Sequence, residues 1–266
     1  MKRAFSCEIP LAAFLAAVIV LCGGAGCMSQ TRMPSYKRSQ MEFVVAADTE
    51  QTARAKTGRS SLTEDEVQKE VERLLAMKPA AALPGKVVLY ELPSSGKSEI
   101  TSPRKWLQLR KGTSVEMKKT LESSRVFQET DFLPDLLIPS GEAIDLKTLR
   151  IAAARAHADG ILIYSTEPGY EYKPNALCLL YPTIIGAFIA PGSKAASMCV
   201  SKAVLVDVHT GYIYSVMETY GEKATTRPYF FLNAESLEFD ARTQAIADLA
   251  KAVAAKAAML KSAPIK

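Results

Sequence analysis

Val204-Leu205-Val206-Asp207-Val208-His209-Thr210-Gly211-Tyr212-Ile213-Tyr214-Ser215-Val216-Met217-Glu218 is the stretch that decides the fold. Two runs rich in β-branched and aromatic residues, 204–208 and 212–218, flank His209-Thr210-Gly211. The glycine is free to take the positive φ that a tight reversal needs, so the stretch reads as a β-hairpin. Toward the amino terminus, Gly160 breaks an Ala-rich pattern, and Ile161-Leu162-Ile163-Tyr164 after it reads as a buried strand. The Ala-rich pattern is a helix capped by Asp145, with Leu146, Leu149, Ala152, Ala153 and Ala156 recurring along it. Before it come a strand over 86–92 closed by Pro93 and a turn at 94–96, a helix over 113–124, a strand near 125–129 and a loop rich in proline and aspartate. Earlier still, Thr63 and Glu66 form a capping box, and Leu62 and Val67 a staple. That helix places Val67, Val71, Leu74 and Leu75 on one face and stops at Pro79. After the hairpin, 236–260 is a long helix with Ala245, Leu249, Ala252, Val253 and Leu260 in its apolar stripe. The order predicts an α/β (α+β) fold: one three-layer-like domain with a mixed sheet, a hairpin at 203–218 and a long C-terminal helix.

The 266 residues are 48% hydrophobic, enough for a buried core. The net charge of +5 is too mild to point to nucleic acid without a localised basic patch.

The start of the chain predicts export. Met1-Lys2-Arg3 is cationic, 9–21 is almost wholly apolar, and Gly23-Gly24-Ala25-Gly26 leads into Cys27. Ala25-Gly26-Cys27 resembles the lipobox of bacterial lipoproteins, whose signal peptidase cuts before a diacylglycerol-bearing cysteine; Gly24 departs from it, standing where a larger aliphatic residue is usual. Thirteen apolar residues are short for a membrane span. Met28 leaves out the aspartate associated with inner-membrane retention, which favours the outer membrane, facing the periplasm. The expected organisation is a signal peptide over 1–26, a lipid anchor and flexible tether over 27–61, a helix over 62–79, the α/β domain over 80–262 and a tail at 263–266. As flexible coil, the tether would hold the domain roughly 30 Å from the bilayer.

Catalytic and cofactor chemistry finds little material. His157 ends a helix and His209 sits in a turn, and no His-Glu-x-x-His or other metal spacing joins them to carboxylates. Gly96-Lys97-Ser98 resembles the end of a phosphate loop, but Glu91 stands where its first glycine belongs. No dinucleotide fingerprint occurs. Asp131 and Asp135 could form an acid/base pair, but aspartate in such a loop more often makes turns. Trp106, amid Arg104, Lys105, Arg110 and Lys111, reads as a core anchor or as a basic-aromatic contact. No catalytic residue, cofactor, metal or small-molecule substrate is assigned.

The most distinctive stretch is 175–192, uncharged over 176–190 and broken by Pro182 and Gly186. Three readings stand open: buried core strands first, then an apolar surface for self-association or another envelope protein, then a membrane-touching hairpin. A contact would involve Leu177, Leu180, Tyr181, Ile184, Ile185, Phe188 and Ile189. Cys178 and Cys199 bracket the stretch and could pair as a disulfide if it folds back; otherwise they are small buried apolar residues.

The stretch at 175–192, the run Ala203-Val204-Leu205-Val206-Asp207-Val208-His209-Thr210-Gly211 and the segment from Asn233 into the last helix resemble the rhombotarget lipoprotein family. More distantly, the strand and helix order and the Asp-Val-x-Thr-Gly turn are similar to periplasmic domains of the curli secretion channel and the TolB amino-terminal region. The resemblance implies an α/β domain, association with the outer membrane and often assembly, with no catalytic residues to carry over. The family's rhomboid-read sorting tail has no counterpart in 261–266, so that processing is not carried over. The functional expectation is an outer-membrane lipoprotein with a non-catalytic periplasmic domain acting in protein–protein interaction or envelope assembly. The alternative is an oligomeric secretion or pore component.

Overall fold

The computed structural model describes residues 30–32, 64–93, 103–138, 144–180 and 188–262. Ten elements follow in chain order: β1 (Gln30–Arg32), α1 (Glu64–Ala76), β2 (Lys86–Glu91), α2 (Pro103–Ser124), β3 (Glu129–Phe132), α3 (Leu146–Arg155), β4 (Gly160–Pro174), β5 (Ser193–Asp207), β6 (Ile213–Arg227) and α4 (Ala234–Ser262). The sheet runs β3-β2-β4-β5-β6, with β1 paired to β4 off that path. β3, β2 and β4 are mutually parallel, and β4-β5-β6 is an antiparallel meander. This is the mixed sheet with flanking helices that the element order predicts.

Alternation along the strands builds a core on each face. On one face Val88, Tyr90, Ile161, Ile163, Val204 and Val206 meet Leu146, Leu149, Ala152 and Ala153 of α3. On the other, Val87, Leu89, Leu162, Tyr164 and Leu205 meet Met117 and Leu121 of α2 and Ile246, Leu249 and Val253 of α4. Asp145 caps α3 as expected, its carboxylate accepting from the Thr148 amide at 2.7 Å.

Four expectations are corrected in detail. The second strand begins at Glu129, because Arg125 takes φ 52° and turns the chain after α2. α2 starts ten residues before the expected 113. α1 forms where predicted, but Val67, Val71, Leu74 and Leu75 are 39–82% exposed and join no core cluster. The fourth concerns the tether: its residues Gln30–Arg32 are a strand, antiparallel to β4, with Gln30 opposite Tyr172 and Arg32 opposite Tyr170.

The central hairpin strands are far longer than the pattern showed, 15 residues each for β4, β5 and β6. β2 accompanies β4 only from Gly160 to Tyr164. Beyond that point β4, β5 and β6 continue as an extension ending at Pro174, Ser193 and Arg227, with β1 beside β4 at 170–172. One face of β5 there is small and fully buried: Ser193, Ala195, Ser197, Cys199 and Ser201. α4 lies over part of it, with Cys199, Ala241 and Ala245 in one cluster.

Candidate functional site

The connection between β4 and β5 forms the tip of that extension. Asn175 seats it: its amide donates to the Gly192 carbonyl at 2.8 Å, its side-chain nitrogen to the Pro191 carbonyl at 2.8 Å, and its side-chain oxygen accepts from Leu177 at 2.9 Å. A 3-10 turn, Ala176–Leu180, follows. Gly192 packs against it so closely that a Cβ would fall 2.8 Å from the Cys178 Cα and the Leu177 carbonyl carbon. The reading of buried core strands is therefore overturned for the described part: Leu177, Leu180, Phe188 and Ile189 are 44–71% exposed. The described ends of the connection, 175–180 and 188–192, bridge β4 and β5, and the described helices form no core cluster with them. Tyr181, Ile184 and Ile185 lie outside the described residues, as does Cys27.

Two residues absent from the sequence reading complete the tip. The turn Tyr229–Phe231 follows the end of β6; Phe188 stacks on Phe230 with ring centroids 4.8 Å apart and meets Phe231 edge-on with centroids 6.3 Å apart. Both phenylalanines stay more than half exposed. The run Tyr229-Phe230-Phe231 after Pro228 was the available signal.

Cys178 and Cys199 are not joined in a disulfide. Cys178 sits against Gly192, whereas Cys199 lies seven residues along β5 with its side chain under α4. At ~3.3 Å per residue that places them roughly 20 Å apart, far beyond disulfide reach. Burial pushes the Cys199 thiol up to about 12, outweighing the opposing pull of Arg242.

A second feature is a cleft of about 470 Å³ at the carboxyl end of β2, lined by Glu91, Ser114, Phe132, Asp135 and Tyr164 among others. Its polar groups bind one another. The Arg242 guanidinium holds Glu91 at 2.7 Å with both side chains under 10% exposed, and the Ser114 hydroxyl lies 3.3 Å from Glu91 and 3.0 Å from the Tyr164 hydroxyl. No sequence pattern announces this pair, because Glu91 and Arg242 come from opposite ends of the domain.

The remaining candidates separate. Asp131 pairs with Lys118 at 3.1 Å, and the Phe132 amide, then that lysine, hold its carboxyl below the usual range. Asp135 opens a short 3-10 turn. His157 adopts φ 54° just past the end of α3, and His209 is exposed 4.0 Å from Asp159. No group of three or more metal-ligating side chains occurs among the described residues. The Trp106 side chain and residues 94–102 lie outside the described residues.

No protein-family model matches the chain, and no curated protein sequence matches it. Solved structures similar to it include the PelC dodecamer of Paraburkholderia phytofirmans in two crystal forms. One is 13% identical with a TM-score of 0.28, covering 65% of this chain and 93% of that one. The other is 12% identical at 0.27, covering 65% and 91%. A candidate lipoprotein from Caulobacter crescentus CB15 is 11% identical at 0.28, covering 66% and 92%. Likeness this distant carries no argument about function or assembly. The resemblance to rhombotarget lipoproteins stands on the three sequence stretches alone.

Proposed function

We propose that this chain is an envelope lipoprotein, held through Cys27 in the outer membrane and facing the periplasm, whose α/β domain works without catalysis by associating with proteins, copies of itself first. The observation that supports it is β6. Among the described strands it forms the edge of the sheet for 15 residues. An edge strand offers unpaired backbone groups to another chain, and long ones are usually shortened or blunted with charge. Here one face alternates Val216, Glu218, Tyr220 and Glu222, with Val216 66% and Tyr220 72% exposed. Apolar and acidic residues in alternation suit a specific contact better than indiscriminate aggregation.

The chemistry-bearing side chains support the non-catalytic part of the reading, since Asp207, Asp131 and Glu91 each serve a structural hydrogen bond or ion pair. A photo-reactive residue at position 220, in full-length protein in cells, is expected to crosslink a second copy of the chain. Crosslinks to one different protein would move the reading to a hetero-partner. A ladder of many copies would bring forward the secretion-channel alternative, and no protein crosslink at all would end the reading of β6 as an interface.

A further inference from the structure

The register of β1 ties the start of the domain to one end of the molecule. β1 is antiparallel to β4, and Gln30, its first residue, lies opposite Tyr172, two residues from the end of β4 at Pro174. The chain therefore enters β1 from the side of the tip. Cys27 precedes Gln30 by three residues. Three residues of extended chain span at most about 11 Å. An acyl group on Cys27 is thus confined to the neighbourhood of the tip and cannot lie at the far end of β5, which its 15 residues place roughly 45 Å away at ~3.3 Å each.

That same end carries a group of exposed apolar side chains: Leu177, Leu180, Phe188, Ile189, Phe230 and Phe231, at 44–71%. The strand ends beside them are cationic. Lys173 and Lys194 face each other across β4 and β5, and Arg227 closes β6 opposite Ser193. Like charges directly opposite each other weaken a sheet in water. Glu171 answers Lys173 by an ion pair at 2.6 Å, and an anionic surface would answer Lys194 as well. Apolar and aromatic side chains beneath a fringe of lysine and arginine are the composition that settles into the boundary between headgroups and acyl chains.

We propose that the tip is a bilayer-seating surface: the aromatic and aliphatic side chains around Phe188 and Ile189 enter the leaflet that holds the Cys27 acyl chains, and Lys173 and Lys194 meet its phosphates. The inference rests on the reading of Cys27 as the anchor. It replaces a domain swinging on a long tether by one that stands on the membrane, with the β4-β5-β6 extension as its foot. The acyl chains hold the domain to the leaflet, and a second apolar contact beside them adds buried area and sets its orientation. The edge strand β6 is then presented to neighbours in the plane of the membrane.

The test uses full-length protein from the envelope, carrying Trp106→Phe to remove the only tryptophan and Ile189→Trp to place one at the tip. Ile189 is 71% exposed, so the change leaves the core alone. The protein is reconstituted in phosphatidylethanolamine and phosphatidylglycerol vesicles containing lipid brominated in its acyl chains. For a side chain seated about 5–10 Å into the leaflet, the emission shifts to the blue and falls by about half or more. His209→Trp, in the turn at the other end of β5, should keep its intensity. Blue-shifted but unquenched emission at 189 would place the tip against protein, and red-shifted unquenched emission would place it in water; either overturns the proposal. The mass of the Cys27 peptide is read from the same sample. Quenching without acylation would keep the bilayer-seating tip and end the anchor reading, whereas acylation without quenching would do the reverse.

Discussion

Asp207 shows what the Asp-Val-His-Thr-Gly run is for. One carboxylate oxygen accepts from the amides of His209 and Thr210 at 2.8 and 2.9 Å; the other accepts from the Ala80 amide at 2.8 Å and lies 3.0 Å from the Tyr214 hydroxyl. The residue thus closes the β5-β6 turn and fastens the connection that enters β2. Gly211, at φ 80°, completes the reversal, and Arg150 clamps it through the Val208 and His209 carbonyls. Burial alone would raise the Asp207 carboxyl, but its four donors together hold it below the ordinary value of 3.8. A carboxyl lowered on folding stabilises fully above its unfolded value and loses that contribution as pH falls through the folded one. The stability gap between the natural chain and Asp207→Asn is therefore expected to be full at neutral pH and to close below the ordinary carboxylate range, as read by urea unfolding across pH. The cysteines give a second residue-scale prediction. Cys178 should react with a thiol reagent at mild alkaline pH in the folded protein, and Cys199 only on unfolding, because burial holds it protonated. Removing one partner of the buried Glu91–Arg242 pair is expected to cost about 3–5 kcal/mol, by Arg242→Met in denaturant titration.

At the scale of elements, the contact that most constrains the extension is that of α4 on β6 and β5. A Cβ at Gly221 would fall 2.8 Å from the Ala245 amide nitrogen and closer still to the Ala241 carbonyl oxygen, so helix and strand meet backbone to backbone. The Thr219 hydroxyl adds a bond to the Ala245 carbonyl at 2.9 Å. Gly221→Ala is expected to destabilise the protein by roughly 1–3 kcal/mol through overpacking, with thermal melting as the readout. This part of the fold was hard to read in the sequence. The buried face of β5 alternates Ser, Ala, Ser, Cys and Ser, which carries little hydrophobic contrast, so the strand was visible only where Val204, Leu205 and Val206 take over. β1 escaped notice because three polar residues on a sheet edge are held by register alone. By contrast α3, β2 and the turn at 209–211 were legible, because their capping residue, β-branched run and glycine each act locally. The tip stays open between three readings for a different reason. An uncharged run says that a segment prefers to leave water, and burial in the core is only one way of doing so.

Across the whole molecule, the pieces that work together come from distant parts of the chain. β1, the described ends of the β4-β5 connection and Phe230-Phe231 share one end of the sheet, and Glu91 meets Arg242 across the domain. Local pattern cannot show such juxtapositions, which is why the fold class was readable and the site was not. The resulting account is of a domain standing on its lipid anchor with a long edge strand free to meet a neighbour. That association is its central claim, and the protein mass of the full-length chain purified from the envelope in detergent, by light scattering, tests it most directly. The account predicts a discrete multiple of the chain mass, reduced to a single chain by Tyr220→Lys with the fold intact. A single chain at every concentration, or an oligomer that Tyr220→Lys leaves unchanged, would contradict it.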